Sequence, residues 1–245
     1  MKRSRDQLLP GSRSRVVTRL EAIARRFALP EAGQAALAAI LALQAADPAA
    51  PTSVRDPAEA ADRHVADALV ALELADVRGA VVIADLGAGA GWPGLALAAA
   101  LPEAQVFLVE SAIRHCRYLE RTAVHLPNAH VVHARAEEWP DGLGAHDLVT
   151  ARALAALPVL CEYAAPLLAM DGVLVAWKGA VPAAELTAGA RAAEALGLVP
   201  AGIHPVTPFP AAEHRTLHMF RKRAPTPPRF PRRPGMAVKR PLGTS

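Results

Sequence analysis

The feature that most constrains this chain is a glycine-rich segment from Asp85 to Gly94, which reads DLGAGAGWPG. The apolar run VVIA precedes it, and Pro93 stands where a helix would begin. A strand, a tight glycine turn and a helix in this order predict the first βα corner of a nucleotide-type α/β fold. Glycines suit such a turn because it needs unusual backbone angles and lets a ligand lie against bare main chain.

The charge at this loop separates two classes of cofactor. A dinucleotide would place its anionic pyrophosphate at the helix N-terminus, where Asp85, two residues before Gly87, would repel it. S-adenosylmethionine (SAM) has no phosphate and carries a sulfonium and an ammonium, which suit a carboxylate. Glu110 ends the next predicted strand and could hold ribose hydroxyls in either class. The loop favours SAM, with a dinucleotide as the alternative because Gly89, Gly91 and Gly94 spell a loose GxGxxG.

Composition narrows the class of protein. A chain of 245 residues that is 52% hydrophobic can bury one substantial core. Cys116 and Cys161 are too few for a disulfide framework, which indicates a reducing, cytoplasmic setting. The nine histidines lack metal-ligand spacing, so we expect no metal. Apolar runs stop well short of the ~20 residues of a membrane-spanning helix, so we expect no membrane association. Separately, we expect a monomer.

The net charge of +4 is concentrated at the two ends of the chain. Residues 1–26 hold eight Lys and Arg against two acids, and residues 221–245 hold eight and no acid, so the central part is acidic. Such termini are either solvated tails or arms that hold a polyanion by contacts to its phosphates. The candidate nucleic-acid contacts of the C-terminal arm are Arg229, Arg232, Arg233, Lys239 and Arg240.

The chain divides into four predicted regions. These are a basic disordered tail (1–15), an N-terminal helical region (16–79), a cofactor-binding domain (80–223) and a Pro- and Arg-rich arm without periodicity (224–245). In the helical region, Asp56 is predicted to cap a continuous helix over 58–74. His64 on this helix lies beside acids, a setting more typical of a structural hydrogen-bonding residue than of a catalyst.

From residue 80 onward, strand and helix patterns alternate with short loops, which predicts a doubly wound parallel sheet. The predicted strands are 81–85, 105–110, 130–134, 147–151, 172–177, 198–205 and 215–221, and the predicted helices are 94–101, 112–125, 157–170 and 183–196. The last two strands have no helix between them, so the seventh is predicted to run antiparallel. This is the seven-stranded α/β layout of a Rossmann-like class I SAM methyltransferase.

Ligands of such sheets bind at the carboxyl ends of the strands. Besides Asp85 and Glu110, these ends carry the segment RAEEW (135–139), Arg152 and Lys178. The backbone at Ala136 and the carboxylate of Glu137 are candidates for contacts to an adenine edge. Each residue also has a plainer explanation. Glu137 could be a solvated loop acid, Arg152 the partner of a structural carboxylate, and Lys178 a surface charge.

The segment after the fourth predicted strand limits the kinds of atom that could accept a methyl group. It reads TARA (150–153), not the (N/D)PP(Y/F) element that holds an exocyclic amine. Cys161 lies inside a helical pattern, so it is a poor candidate for the nucleophile of a pyrimidine C5 methyltransferase. No general base is evident, which suits an acceptor that is already a lone pair, such as guanine N7.

These motifs together resemble the RsmG (GidB) family of small-subunit ribosomal RNA methyltransferases, which methylate N7 of a guanine in 16S rRNA. The segments that carry the resemblance are TSVRDP (52–57) with Arg63, His64 and Asp67, the glycine loop, LVES (108–111), RAEE (135–138), ARA (151–153), WKG (177–179), RFPRRPG (229–235) and KRPL (239–242). The family usually has a Trp-Asn…Asn-Leu-Thr stretch before Arg-Asp-Pro, where this chain reads QAADPAAPT (44–52). Trp92 replaces the usual Phe or Leu.

The resemblance implies SAM as cofactor and 16S rRNA, or a precursor of the small ribosomal subunit, as partner. The family's cofactor contacts would fall on Gly87, Trp92, Ala136, Glu137 and Arg152, in addition to Asp85, Gly89, Gly91 and Glu110 of the strand ends and loop. Arg152 and Lys178 are the candidates for positioning the acceptor. The alternatives are a SAM methyltransferase for a small molecule or a protein, with dispensable tails, and a dinucleotide-binding module.

Overall fold

In the computed structural model, residues 10–244 are described, with side chains from Arg15 onward. A single seven-stranded sheet has the order β3-β2-β1-β4-β5-β7-β6. The strands are β1 (Val82–Leu86), β2 (Gln105–Glu110), β3 (Ala129–His133), β4 (His146–Arg152), β5 (Leu168–Lys178), β6 (Leu198–Val206) and β7 (Arg215–Lys222). β1 to β5 pair in parallel, and β7 is antiparallel to both β5 and β6. The predicted sheet and its antiparallel seventh strand are confirmed.

Helices cover both faces of this sheet. They are α1 (Pro10–Phe27), α2 (Glu31–Ala46), α3 (Pro57–Ala60), α4 (Asp67–Leu69), α5 (Ala75–Arg78), α6 (Gly94–Ala100), α7 (Ile113–Ala123), α8 (Leu157–Ala164), α9 (Ala183–Ala195) and α10 (Met236–Lys239). Successive strand residues point to opposite faces. In β1, Ile83 therefore joins the core beneath α1, α2 and α6, whereas Ala84 joins the core beneath α8 and α9. Among the described residues, no helix is long and apolar enough to cross a membrane.

The predicted continuous helix over 58–74 is broken into four short segments. α3 is followed by a π-helical segment (Ala61–Ala66), then α4, then a 3₁₀ turn (Val70–Glu73). The predicted cap is present, because Asp56 accepts hydrogen bonds from the backbone of Ala58 and Glu59. π-helical turns are rare in proteins, and those that occur often lie at functional sites. Apolar periodicity does not distinguish these helix types, so the sequence could not show the break.

Three predicted boundaries differ from the structure by four residues or more. The helix predicted over 157–170 ends at Ala164, and β5 begins at Leu168 rather than at Gly172. Pro166 explains the early end, because proline cannot continue a helix. The carbonyls of Pro166 and Leu167 instead accept hydrogen bonds from the backbone of Gly144 and His146. At the N-terminus, α1 begins at Pro10, inside the predicted disordered tail, and residues 1–9 lie outside the described part.

The C-terminal arm (residues 224–245) packs against the body instead of extending from it. Phe230 is 8% exposed and Ala237 is 1% exposed, and both join the core beneath α8 and α9. Arg232 forms a two-pronged ion pair with Glu162 of α8. The arm lacks helical or strand periodicity because its backbone is mostly irregular and a few anchoring side chains dock it.

Candidate active site

The glycine loop after β1 is a tight turn held on β2. Gly87, Gly89 and Gly91 have φ angles of +64°, +53° and +95°, in the left-handed region that favours glycine. The backbone N–H groups of Gly87 and Ala88 both donate to the carbonyl of Val109, the last residue before Glu110. The loop thus has the predicted conformation, and its position is fixed by the neighbouring strand.

Asp85 supports this loop from inside the protein. Its carboxylate is 1% exposed and accepts 2.9 Å hydrogen bonds from the Gly94 backbone and the Thr150 hydroxyl. Burial is the main cause that raises the pKa of Asp85 to about 6. Both oxygens are bonded within the protein and the side chain is buried, so the structure shows a supporting role for Asp85, and its expected contact with a cationic ligand stays a prediction. Asp85 joins the end of β1 to the start of α6.

Glu110 holds the loop from the end of β2. One carboxylate oxygen accepts the Gly89 N–H at 3.0 Å, and the other accepts the Ala112 N–H at 2.8 Å. A carboxylate has about four lone-pair sites, so Glu110 retains acceptor capacity for ligand hydroxyls. It is therefore compatible with the expected role of a ribose-binding carboxylate, and it orients the glycine loop as well.

A small cavity of about 90 Å³ opens beside the loop. Its lining residues come from the ends of β1 to β4 and from α8: Gly87, Val109, Ser111, Ala134, Arg135, Ala136, Glu137, Leu154 and Tyr163. A Cβ added at Gly87 would lie 2.6 Å from the end of the Leu154 side chain, and the left-handed φ of +64° also favours glycine at this wall. The structure thus brings together Gly87, Ala136 and Glu137, which the sequence predicted as cofactor contacts.

Trp92 points away from the small cavity into the N-terminal helices. Its side chain is 4% exposed, its indole N–H donates to Gln44 of α2 at 3.0 Å, and its ring stacks on His64 with 5.6 Å between centroids. The side chain is thus occupied within the protein and the backbone of Trp92 is left for a ligand, so the predicted cofactor contact at Trp92 stays a prediction. Gln44 takes part through this bond, although nothing in its sequence context distinguished it.

A larger cavity of about 600 Å³ lies next to the small one, between the N-terminal helices and the ends of β4, β5 and β7. Arg152 and Lys178 line it, as predicted, together with His64, Asp67 and Arg215. His64 and Asp67 were visible in the sequence as part of the RDP-to-Asp67 motif. Arg215 was not singled out, because its only signal was its place at the start of the last strand.

Arg152 is anchored by the π-helical segment. Its Nη1 lies 2.8 Å from Asp67 Oδ2 and donates to the Arg63 carbonyl at 3.0 Å, and its Nη2 donates to His64 Nδ1 at 3.3 Å. The π-helical segment supplies the Arg63 carbonyl and the His64 imidazole, and the adjoining α4 supplies the Asp67 carboxylate, so all three partners of Arg152 come from one stretch of chain. Arg152 is thus the partner of a structural carboxylate and also part of the cavity wall.

His64 is a neutral hydrogen-bonding residue. Burial, with a smaller contribution from the Arg152 charge, lowers the pKa of His64 to about 4. Because Nδ1 accepts from Arg152, the proton lies on Nε2, which donates to the Thr52 hydroxyl at 3.0 Å. Both ring nitrogens are occupied, so His64 is not free to act as a general base.

The other charges of the larger cavity are also paired. Lys178 lies 2.7 Å from Glu185 and donates to the Ala155 carbonyl at 3.2 Å. Arg215 Nε lies 3.4 Å from Asp67 Oδ1, an ion-pair distance at which neither buried atom forms a hydrogen bond. Among the described residues, no group of three or more potential metal ligands occurs.

The electrostatics of the loop fit SAM better than a dinucleotide. The side chains that touch the glycine loop include the carboxylates of Asp85 and Glu110, and Glu137 adds a third carboxylate at the small cavity. These carboxylates would repel a pyrophosphate, whereas they suit ribose hydroxyls, an adenine amine and a sulfonium.

The fold and the loop define a class I SAM-dependent methyltransferase. Two solved structures share the fold: the fibrillarin pre-rRNA processing protein of Methanococcus jannaschii (TM-score 0.52, 18% identity, 65% of this chain and 74% of that one) and a predicted O-methyltransferase of Agrobacterium tumefaciens (0.51, 23%, 66% and 81%). The family model described as rRNA small subunit methyltransferase G (GidB) matches residues 42–208. The chain belongs to this family, which confirms the resemblance seen in the sequence.

Curated relatives with the name ribosomal RNA small subunit methyltransferase G cover most of the chain. The protein of Desulfitobacterium hafniense is 38% identical over 78% of this chain and 81% of its own length. The proteins of Rubrobacter xylanophilus (39%; 77% and 75%) and Bacillus subtilis (35%; 78% and 82%) are similar to the same extent. Membership of a methyltransferase family does not favour the dinucleotide-binding alternative.

Proposed function

We propose that this protein transfers the methyl group of SAM to N7 of a guanine in 16S rRNA, acting on the rRNA or on a precursor of the small ribosomal subunit. The observation that carries this proposal is the meeting of two cavities at the end of β4. Leu154 lines the small cavity, and Arg152 and Ala153 line the larger one. A cofactor in the first and an acceptor base in the second would have their reactive atoms adjacent.

The small cavity takes the adenosine part of the cofactor in this proposal. Glu110 accepts the ribose hydroxyls, the segment at Ala136 and Glu137 contacts the adenine, and Gly87 leaves room for the ligand. Gly89 and Gly91 shape the loop without lining that cavity. The bound cofactor supplies an electrophilic methyl group on a sulfonium, and the residues of this chain hold it in place.

The larger cavity lacks an obvious proton acceptor. Among its described lining residues, the carboxylates of Asp67 and Glu185 lie in ion pairs, although Asp67 Oδ1 accepts no hydrogen bond, and His64 is neutral and fully bonded. Guanine N7 is a lone pair that loses no proton when it attacks a methyl group, so positioning alone can promote its reaction. An amine or hydroxyl acceptor would have to lose a proton, which favours N7.

Arg152 and Lys178 are our candidates for positioning the acceptor. A guanidinium has five N–H donors and an ammonium has three, so neither side chain is exhausted by its protein partners. A monomeric enzyme remains part of this proposal. The rRNA substrate implies a cytoplasmic location.

The C-terminal arm offers a basic surface for the rRNA backbone. Arg229, Arg233, Lys239 and Arg240 are exposed on the docked arm, whereas Arg232 is committed to Glu162. The sequence grouped Arg232 with the phosphate contacts, and its ion pair with a buried carboxylate argues against that role. We keep the four exposed cations as the proposed phosphate contacts.

The direct test compares 16S rRNA from strains with and without the gene. Nucleosides of the digested rRNA are quantified by mass spectrometry, and purified protein with SAM is added to small subunits from the deletion strain. We expect one N7-methylguanosine to disappear on deletion and to return on treatment. Unchanged N7-methylguanosine, with methyl transfer to a protein or small molecule instead, would overturn the rRNA assignment.

A further inference from the structure

The C-terminal arm is attached to the body by an ion pair with a buried carboxylate. Glu162 on α8 is 1% exposed, and its two oxygens accept hydrogen bonds from Arg232 Nε and Nη2 at 2.7 and 2.5 Å. The same Nη2 donates to the Arg240 carbonyl at 2.8 Å, so Arg232 also closes the arm on itself. A carboxylate buried to this degree requires its partner, because an unpaired buried charge is strongly unfavourable.

Three residues beyond Arg232, the arm reaches the wall of the small cavity. The backbone N–H of Gly235 donates to Glu137 Oε1 at 3.0 Å. Glu137 lines the cavity, and its side chain is 4% exposed. Tyr163, the neighbour of Glu162 on α8, lines the same cavity, and burial together with the Glu137 charge raises the pKa of its hydroxyl. The arm and α8 therefore meet at the carboxylate of Glu137.

We propose that Arg232 is a positioning residue of the cofactor site, acting through Gly235 on Glu137. The Arg232–Glu162 pair holds the arm so that the Gly235 N–H fixes the orientation of the Glu137 carboxylate. The arm is thus part of the wall around the adenosine end of the cofactor, besides carrying exposed cations. This inference deepens the proposed function, since it rests on the assignment of the small cavity to adenosine.

The test measures ligand binding in the absence of RNA. SAM and 5′-methylthioadenosine are titrated calorimetrically into wild type, Arg232→Met, Arg232→Lys and Arg223→Met, with folded protein verified by circular dichroism. We expect Arg232→Met to lower the affinity for both ligands about tenfold, because it disturbs the charge-assisted contact of Glu137 with the adenosine end that they share. Arg232→Lys should lie between, and Arg223→Met, which removes an exposed ion pair to Asp171 outside the arm, should bind like wild type.

A double-mutant cycle separates positioning from general loosening of the fold. If Arg232 acts through Glu137, Arg232→Met adds little further loss on a Glu137→Gln background, because the orientation of that carboxylate no longer matters. Fully additive losses, or wild-type affinity in the folded Arg232→Met variant, would overturn the proposal. Because RNA is absent, a wrong rRNA assignment leaves these affinities unchanged, and a failed cycle leaves the proposed reaction intact.

Discussion

Arg152 at the end of β4 and Asp67 on α4 form an ion pair, with 2.8 Å between Nη1 and Oδ2. The pair joins the sheet to the N-terminal helices at the larger cavity. The Asp67 backbone carbonyl also accepts the Trp177 indole N–H at 2.7 Å, which binds α4 to β5. The wall of the proposed acceptor site therefore depends on contacts between two regions far apart in the sequence.

We expect Arg152→Ala to destabilise the protein by about 2–3 kcal/mol, since it leaves the buried Asp67 carboxylate without its main partner. The measurement is urea unfolding followed by circular dichroism. The control is Arg63→Ala, which removes an exposed ion pair to Glu59 and should cost less than about 1 kcal/mol. Wild-type stability together with lost methyl transfer would show that Arg152 acts on the bound substrate alone.

Asp85 should make stability fall as pH rises from about 4 to 6. Its pKa is raised to about 6 in the fold, so the folded protein binds this proton more tightly than the unfolded chain. The contribution of this proton to the free energy of unfolding, about 3 kcal/mol, is complete below pH 4 and is lost as the pH rises to 6. Urea unfolding at pH 4 and 7.5 tests this on wild type and Asp85→Asn. Parallel pH profiles for the two proteins would contradict it.

His64 should have the opposite effect. Its pKa is lowered to about 4, so below pH 6.5 the unfolded chain takes up this proton first. The contribution of the neutral imidazole to the free energy of unfolding, about 3 kcal/mol, is complete above pH 6.5 and is lost as the pH falls to about 4. His64→Gln, which cannot titrate, should lack this component in the same unfolding series. A variant that loses as much stability as wild type between pH 7 and 4 would exclude His64 as its source.

The exposed cations of the arm should set the salt dependence of RNA binding. Replacing Arg229, Arg233, Lys239 and Arg240 by Gln should lower the slope of log affinity against log salt by roughly 0.7–0.9 per phosphate contact, or about 3 units in total. Filter binding of 16S rRNA from low to high salt measures this slope, and SAM affinity in the same variant is the control. An unchanged slope would show that these cations do not contact phosphates.

Local pattern was enough to predict the sheet, the glycine loop and the strand ends that build the site. Each of these obeys short-range rules: apolar runs of strand length, glycines where φ is positive, and polar residues directly after a buried strand. Asp85, Glu110, Ala136 and Glu137 were found in this way because parallel strands bring their carboxyl ends to one edge. The sequence therefore determined the class of fold, favoured SAM as the cofactor class, and predicted the edge of the sheet where the candidate site lies.

Only the tertiary structure decided what each charged side chain does there. Asp67 and Arg152 are 85 residues apart, Glu162 and Arg232 are 70 apart, and Glu137 and Gly235 are 98 apart. No periodic pattern encodes such distant pairings. Burial then changes the role of each group: Asp85 supports the loop, His64 is neutral, and Arg232 anchors an arm for which composition left open a solvated tail or a polyanion-binding segment. These roles arise because a charge in the interior is tolerated only beside its partner, and only the complete fold decides which partners meet.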